Sequence, residues 1–182
     1  STINPKEEQH KSNAHTIKDN LHSAYAGEES RSIKALSPED VQGLRTGSGM
    51  PFNGMAKAAE LNGYPGPRHV LDAYEKGRLN LSDRQAEEIR KVFDDMQQAA
   101  IKLGQELIQT EEEIDTDFDR DTISEYKLQR KVQESAELYG KLRFVHLRAH
   151  LQMMDILNNE QLQQYMSLRG YKDGGSEHEG GN

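Results

Sequence analysis

Three observations predict an all-α fold built on a long antiparallel helical hairpin with short flanking helices. Two stretches carry apolar residues at spacings of three and four. One runs Ile89, Phe93, Met96, Ala100, Leu103, Leu107 and Ile114; the other runs Leu128, Val132, Ser135, Tyr139, Leu142, His146, Ala149, Met153 and Ile156. That rhythm marks the buried face of a helix. A short acidic segment, Asp115 to Asp121, separates the two stripes, and two helices joined by a short turn pack antiparallel. Strand signals are missing, with neither period-two alternation nor an Asn-Gly turn between apolar runs.

The elements follow in chain order. Residues 1–23 are polar and carry His10, His15 and His22 without amphipathic rhythm, which reads as a disordered N-terminal arm. Residues 24–66 form a Gly/Pro-rich segment whose short helices are expected to pack on the body. Within it Ser37 precedes Pro38, Glu39 and Asp40, an N-cap followed by proline at the first helical position and acids in the first turn. Gly47-Ser48-Gly49-Met50-Pro51 breaks that helix. Met55 to Leu61 has room for two turns before Asn62-Gly63-Tyr64-Pro65-Gly66-Pro67 breaks the chain again. These glycines make no phosphate loop, because neither Gly-Lys-Ser/Thr nor a preceding strand accompanies them.

The hairpin domain is expected over residues 67–171 as a hooked four-helix arrangement. A helix starts at Pro67 and stops near Gly77. Ser82 caps the first long helix, with Gln85 completing a capping box three residues on. The second long helix is expected from about Thr122, capped by the last aspartate of the turn, to Leu157. Asn158-Asn159 then caps a short helix through Leu168, which Gly170 ends. Residues 172–182, rich in Gly and Glu, read as a disordered tail.

Composition narrows the function. A chain of 182 residues that is 34% hydrophobic and has no Trp suits pairwise-packed amphipathic helices rather than a thick core. A net charge of −8 argues against nucleic acid as a partner, since phosphate neutralisation needs a basic surface. No apolar run approaches the ~18 residues of a membrane span. The start at Ser1, without a charged-then-apolar leader, fits an exported protein whose signal peptide has been removed. The absence of cysteine excludes disulfides and thiolate chemistry. No nucleophile–base arrangement emerges, and the expected work is binding rather than catalysis.

The distinctive residues interrupt the second stripe. His146 and His150 stand at i and i+4 on one helix face, the simplest helical arrangement that holds one metal ion, with Met153 and Met154 one turn beyond. The alternative is a core histidine satisfied by a nearby carbonyl. A fold-back brings His69, on the short helix before the hairpin, over the same region, and antiparallel pairing sets Asp94 or Asp95 across from the end of the second long helix. His69, Asp94, His146 and His150 are thus the expected ligands of nickel, cobalt, zinc or copper, and sulfur from Met153 or Met154 would favour copper. The acidic turn places Asp115, Asp117, Asp119 and Asp121 at alternating positions, like half a calcium loop. Arg120 stands where that loop needs glycine, so the turn reads as a solvated connection.

Leu81-Ser82-Asp83-Arg84-Gln85 and Leu157-Asn158-Asn159-Glu160-Gln161 repeat a Leu-x-x-x-Gln element at two helix starts. Bracketing a helical hairpin, the pair resembles the twin Leu-Thr-x-x-Gln signature of the Spy/CpxP/ZraP group, with Ser82 and Asn158 in place of Thr. Val145-His146 before the second copy, and Tyr165 and Arg169-Gly170-Tyr171 after it, extend the likeness over about residues 67–171. The stretch Ala59 to Pro67 is similar to a leader in one branch of that group. The resemblance implies a periplasmic, often dimeric, hooked hairpin that acts as a stress chaperone or, in the CnrX-like branch, as a nickel/cobalt sensor. In that branch the ligand roles fall on His69, Asp94, His146 and His150. A second ligand histidine before the first signature is absent here, and His150 takes the methionine position. Expected partners are a metal ion, unfolded client proteins or a membrane-bound signalling protein, and a second copy of the chain.

Overall fold

The computed structural model describes residues 21–50 and 54–171. His10, His15, most of the expected arm and the whole expected tail lie outside the described residues. The chain divides into two compact units, Ser1–Lys34 and Ala35–Asn182, a division that falls inside the stretch 24–66. The described residues of the first unit include one 3-10 turn, Glu28–Ser30, entered through Gly27 at φ 99°. The Ser30 hydroxyl donates to the Gly27 carbonyl at 3.0 Å, and Arg31 pairs with Glu28 at 3.0 Å.

The second unit is all-α among its described residues. Its helices are α1 (Pro38–Thr46), α2 (Lys57–Glu60), α3 (Pro67–Glu75), α4 (Asp83–Asp119), α5 (Glu125–Met153) and α6 (Asn159–Leu168). Residues 67–171 thus contain the four helices expected there. Three starts are capping boxes. The Ser37, Ser82 and Asn158 side chains accept from the backbone N–H groups of Asp40, Gln85 and Gln161, whose own side chains accept from the cap N–H in return. At α1 the chain leaves through Gly47 at φ 82°, a left-handed exit that glycine adopts without strain.

Helices α4 and α5 form the hairpin. Its antiparallel register is written in cross-helix polar pairs, because partners on α5 climb as those on α4 descend. Lys127 pairs with Asp117 at 3.4 Å, Lys131 with Glu113, and Ser135 with Glu111 at 2.5 Å. The turn comes later than the acidic run suggests. Helix α4 continues through Asp115, Asp117 and Asp119, and Ser124, not Asp121, caps α5. Acids at a helix C-terminus oppose its dipole, but here lysines of the facing helix offset them. The Thr122 hydroxyl, at 2.8 Å, holds the Asp117 carboxyl below its ordinary range, with Lys127 adding to the effect. Asp121 sits at φ 59°, a conformation aspartate tolerates better than most residues. The second stripe is also shorter than its spacing suggests. Val132 is exposed, while Leu138, Leu142, Val145, Ala149 and Met153 are buried, and α5 ends at Met153 rather than Leu157.

At the open end of the hairpin Val70, Leu71, Leu79, Ile89, Met153, Leu157 and Tyr165 form a core, with Leu81 packed against it. Both leucines of the repeated Leu-x-x-x-Gln element therefore serve packing. The two glutamines meet above them. Gln85 donates to the side-chain oxygen of Gln161 and Gln161 to that of Gln85, each at 2.9 Å. Their remaining N–H groups reach the carbonyls of Ile156 and Asn80.

Helix α1 crosses α4 at Gly104. A Cβ there would stand 2.3 Å from the Leu44 carbonyl oxygen, a clash with backbone that no rotamer relieves. Gly104→Ala is expected to force the two helices apart at a cost of about 1–3 kcal/mol. Gly140, on α5, has open space where its Cβ would lie, so Gly140→Ala is expected to stabilise by about 0.5–1 kcal/mol. Urea denaturation of the two variants checks both signs.

Candidate metal centre

A cavity of about 320 Å³ opens beside the C-terminal half of α5. His146 and His150 line it from α5, His69 from α3, Phe93 and Met96 from α4, and Met50 and Met55 from the connection between α1 and α2. Each imidazole on α5 is held differently. His150 Nδ1 lies 2.6 Å from the carbonyl oxygen of Tyr64. A carbonyl only accepts, so Nδ1 carries a proton, and in the neutral ring the lone pair is left on Nε2. A Cβ on Gly66 would stand 2.8 Å from that Nε2, so only glycine leaves room for the ring.

His146 has the opposite problem. It is 8% exposed, and its Nε2 is a fully buried atom with no hydrogen-bond partner among the described residues. Orphans of this kind are uncommon in native interiors and call for an explanation. Gly49, at φ 77°, faces it. The point a Cβ would occupy there is 3.0 Å from His146 Nε2 and 3.2 Å from the Met55 sulfur. The imidazole nitrogen and the thioether thus crowd the same side of Gly49, where any side chain would press on both. Burial, and then the neighbouring His150, push the His146 pKa below its ordinary value.

Glu60, at the end of α2, ties this wall together. Its Oε1 accepts from the Tyr165 hydroxyl at 2.5 Å and the Tyr171 hydroxyl at 3.0 Å, and faces Arg169 Nε at 3.7 Å. Its Oε2 accepts from the Gly66 N–H at 3.2 Å and lies 3.7 Å from His150 Nδ1. Burial and the bond to Glu60 drive the Tyr165 hydroxyl pKa strongly upward, so it stays a donor.

The expected ligands part company here. His146, His150 and His69 line one cavity, His69 as an exposed residue. Partial burial of its inner side, and then Arg169, lower the His69 pKa. Asp94 and Asp95 sit at the expected level of the hairpin but are exposed and do not line the cavity, because Phe93, Met96 and Gln97 occupy the inward positions of α4. Met153 is wholly buried in the core with Val70 and Tyr165, and Met154 does not line the cavity either. The described residues hold no group of three or more His, Cys, Asp or Glu side chains able to bind a metal ion together. The methionines that line the cavity with the imidazoles are Met50, Met55 and Met96. Spacing on α5 could not point to them, because they come from other elements. Glu60 is equally hidden among 31 carboxylates.

Two outcomes are expected. Glu60→Ala strands the buried Tyr165 hydroxyl, so it should cost about 1–3 kcal/mol more in the wild type than in a Tyr165→Phe background; a double-mutant cycle by urea denaturation measures the difference. The second concerns pH. The folded state keeps His146 neutral below the point, near ~6.5, where the unfolded chain takes up a proton. Stability from this group is thus complete above that pH and is lost as pH falls through it, and His69 adds a slope of the same sign. Metal-free wild type should lose Tm between about pH 7.5 and 5.5, and His146→Leu should lose less. No protein-family model, curated protein or solved structure matches this chain, and its function is therefore read from the geometry of these side chains.

Proposed function

We propose that the protein binds one transition-metal ion, from among nickel, cobalt, zinc and copper, through His146 and His150, as a periplasmic sensor or buffer in heavy-metal resistance. The observation that carries this reading is the buried, unpartnered Nε2 of His146 beside a cavity that His150 also lines. A buried ring nitrogen without a partner is costly to maintain in either tautomer, and with the proton on Nδ1 a bound cation would supply the partner that Nε2 lacks. His150 adds the supporting arrangement common to metal-binding histidines, in which one ring nitrogen donates to a carbonyl and leaves the other free. When bound, the ion supplies a point of recognition rather than a reaction. The cavity beside the histidines is much larger than an ion and leaves room for exchange, which supports a sensor or buffer. The periplasmic setting rests on the likeness of the twin Leu-x-x-x-Gln elements, and a second copy of the chain or a membrane-bound signalling partner would fit the same setting.

A second reading, a chaperone for unfolded clients, draws on Tyr126, Phe144 and Leu151. They are exposed on one side of α5. Arg148 lies 5.3 Å above the Phe144 ring and covers part of this apolar surface, which makes it the weaker reading.

Calorimetric titration with the four metals, on the wild type and on a His146→Ala/His150→Ala variant, separates the two. The expected result is one strong site that the double substitution removes and that weakens as pH drops through ~6.5. Replacing His10, His15 and His22 together should matter far less. Equal binding by both proteins would rule the site out. Undiminished suppression of client aggregation by the metal-free double variant would favour the chaperone.

A further inference from the structure

The cavity's donors are unequal in kind, and this bears on which ion it accepts. We infer that the site selects a soft, singly charged ion, cuprous copper, over nickel, cobalt and zinc, with the Met55 sulfur completing the coordination begun by His146 and His150. The inference rests on the metal-binding reading of these two histidines and goes beyond it in assigning the ion and a thioether ligand.

Three observations carry it. The first is placement: His146 Nε2 and the Met55 sulfur lie on the same side of Gly49, 3.0 Å and 3.2 Å from the point its Cβ would take, and so are near neighbours. Both side chains are buried, Met55 at 6% exposure and His146 at 8%, so neither reaches that position by chance of a mobile surface chain. Met50 and Met96 line the same cavity. Thioethers are poor ligands for nickel, cobalt and zinc in water but good ones for Cu(I).

The second observation is the lack of an available carboxylate. Glu60 is the one carboxylate among the described lining residues. Its oxygens already accept from two tyrosine hydroxyls and a backbone N–H and face Arg169. Recruiting it to a metal would strand the Tyr165 hydroxyl. The cavity thus offers imidazole and thioether, with no free carboxylate.

The third is charge. Lys57, Arg68 and Arg169 line the cavity against Glu60 alone. Surplus positive charge at close range repels a divalent ion twice as strongly as a monovalent one. Low coordination number, neutral ligands and single charge all suit Cu(I).

The test uses the full chain under anaerobic conditions. Cu(I) is titrated in competition with a coloured bidentate Cu(I) chelator, and zinc, nickel and cobalt by calorimetry, on the wild type, Met55→Leu and His146→Ala. Leucine nearly conserves the volume of methionine, so the fold should persist, and circular dichroism checks that it does. X-ray absorption at the copper edge of the wild type reports sulfur in the first shell independently of any variant. We expect Cu(I) to bind more tightly than the other three ions, a sulfur scatterer at the metal, and at least a tenfold loss of Cu(I) affinity in Met55→Leu with the other metals unchanged. A copper shell of nitrogen and oxygen only, or Cu(I) affinity unmoved by Met55→Leu, overturns the soft-ion assignment; metal binding lost in His146→Ala would then still uphold the histidine site. Absence of binding by any of the four ions overturns both.

Discussion

The fold depends on one pair of side chains, Gln85 and Gln161. Each completes the capping box of its own helix, and each also donates to the other's amide oxygen. Every donor and acceptor of both amides is used, two of them on the carbonyls of Ile156 and Asn80. Only a primary amide of this length can do so, since a carboxylate cannot donate and asparagine cannot reach. The pair joins the start of α4, the segment after α5 and the start of α6. The hairpin is thereby fixed at its open end, as the Asp117–Thr122–Lys127 contacts fix it at the turn. With both ends set, α5 has no freedom to rotate, and His146 and His150 must face the connection that carries Gly49, Met55 and Gly66.

That connection shows how backbone and side chain share the making of the site. Gly49 and Gly66 each stand where a Cβ would touch an imidazole, so the rings are seated against main chain. The tyrosine–carboxylate group around Glu60 supplies what the seat lacks, a fixed carbonyl at Tyr64 for His150 to grip. His146 receives no such grip on Nε2, and this difference between two histidines one helical turn apart gives the cavity its chemical character.

Much of the frame was legible in the sequence because local rules govern it. Ser37, Ser82 and Asn158 announce their helices through caps that act within four residues, and the stripes on α4 and α5 follow from helical periodicity alone. The boundary at the turn was not legible. Helix α4 runs through its aspartates because lysines of another helix neutralise them, a tertiary effect that propensity cannot register. The site was half legible for the same reason. His146 and His150 share a helix, so their spacing reveals them. Met50, Met55, Met96 and Glu60 converge only after folding, while Asp94 and Met153, chosen by register and spacing, turn to solvent and to the core.

The position of Glu60 has a consequence for the order in which the molecule is made. A four-residue helix near the first third of the chain is held by Tyr165, Arg169 and Tyr171 near its end. The hairpin closes through short loops and can assemble early, whereas these contacts span more than a hundred residues and are slow to find one another. The cavity wall therefore becomes a wall only when α6 and the residues through Tyr171 arrive. A nascent chain still short of Tyr171 would hold a formed hairpin and an unfinished pocket, its two histidines already in place on α5.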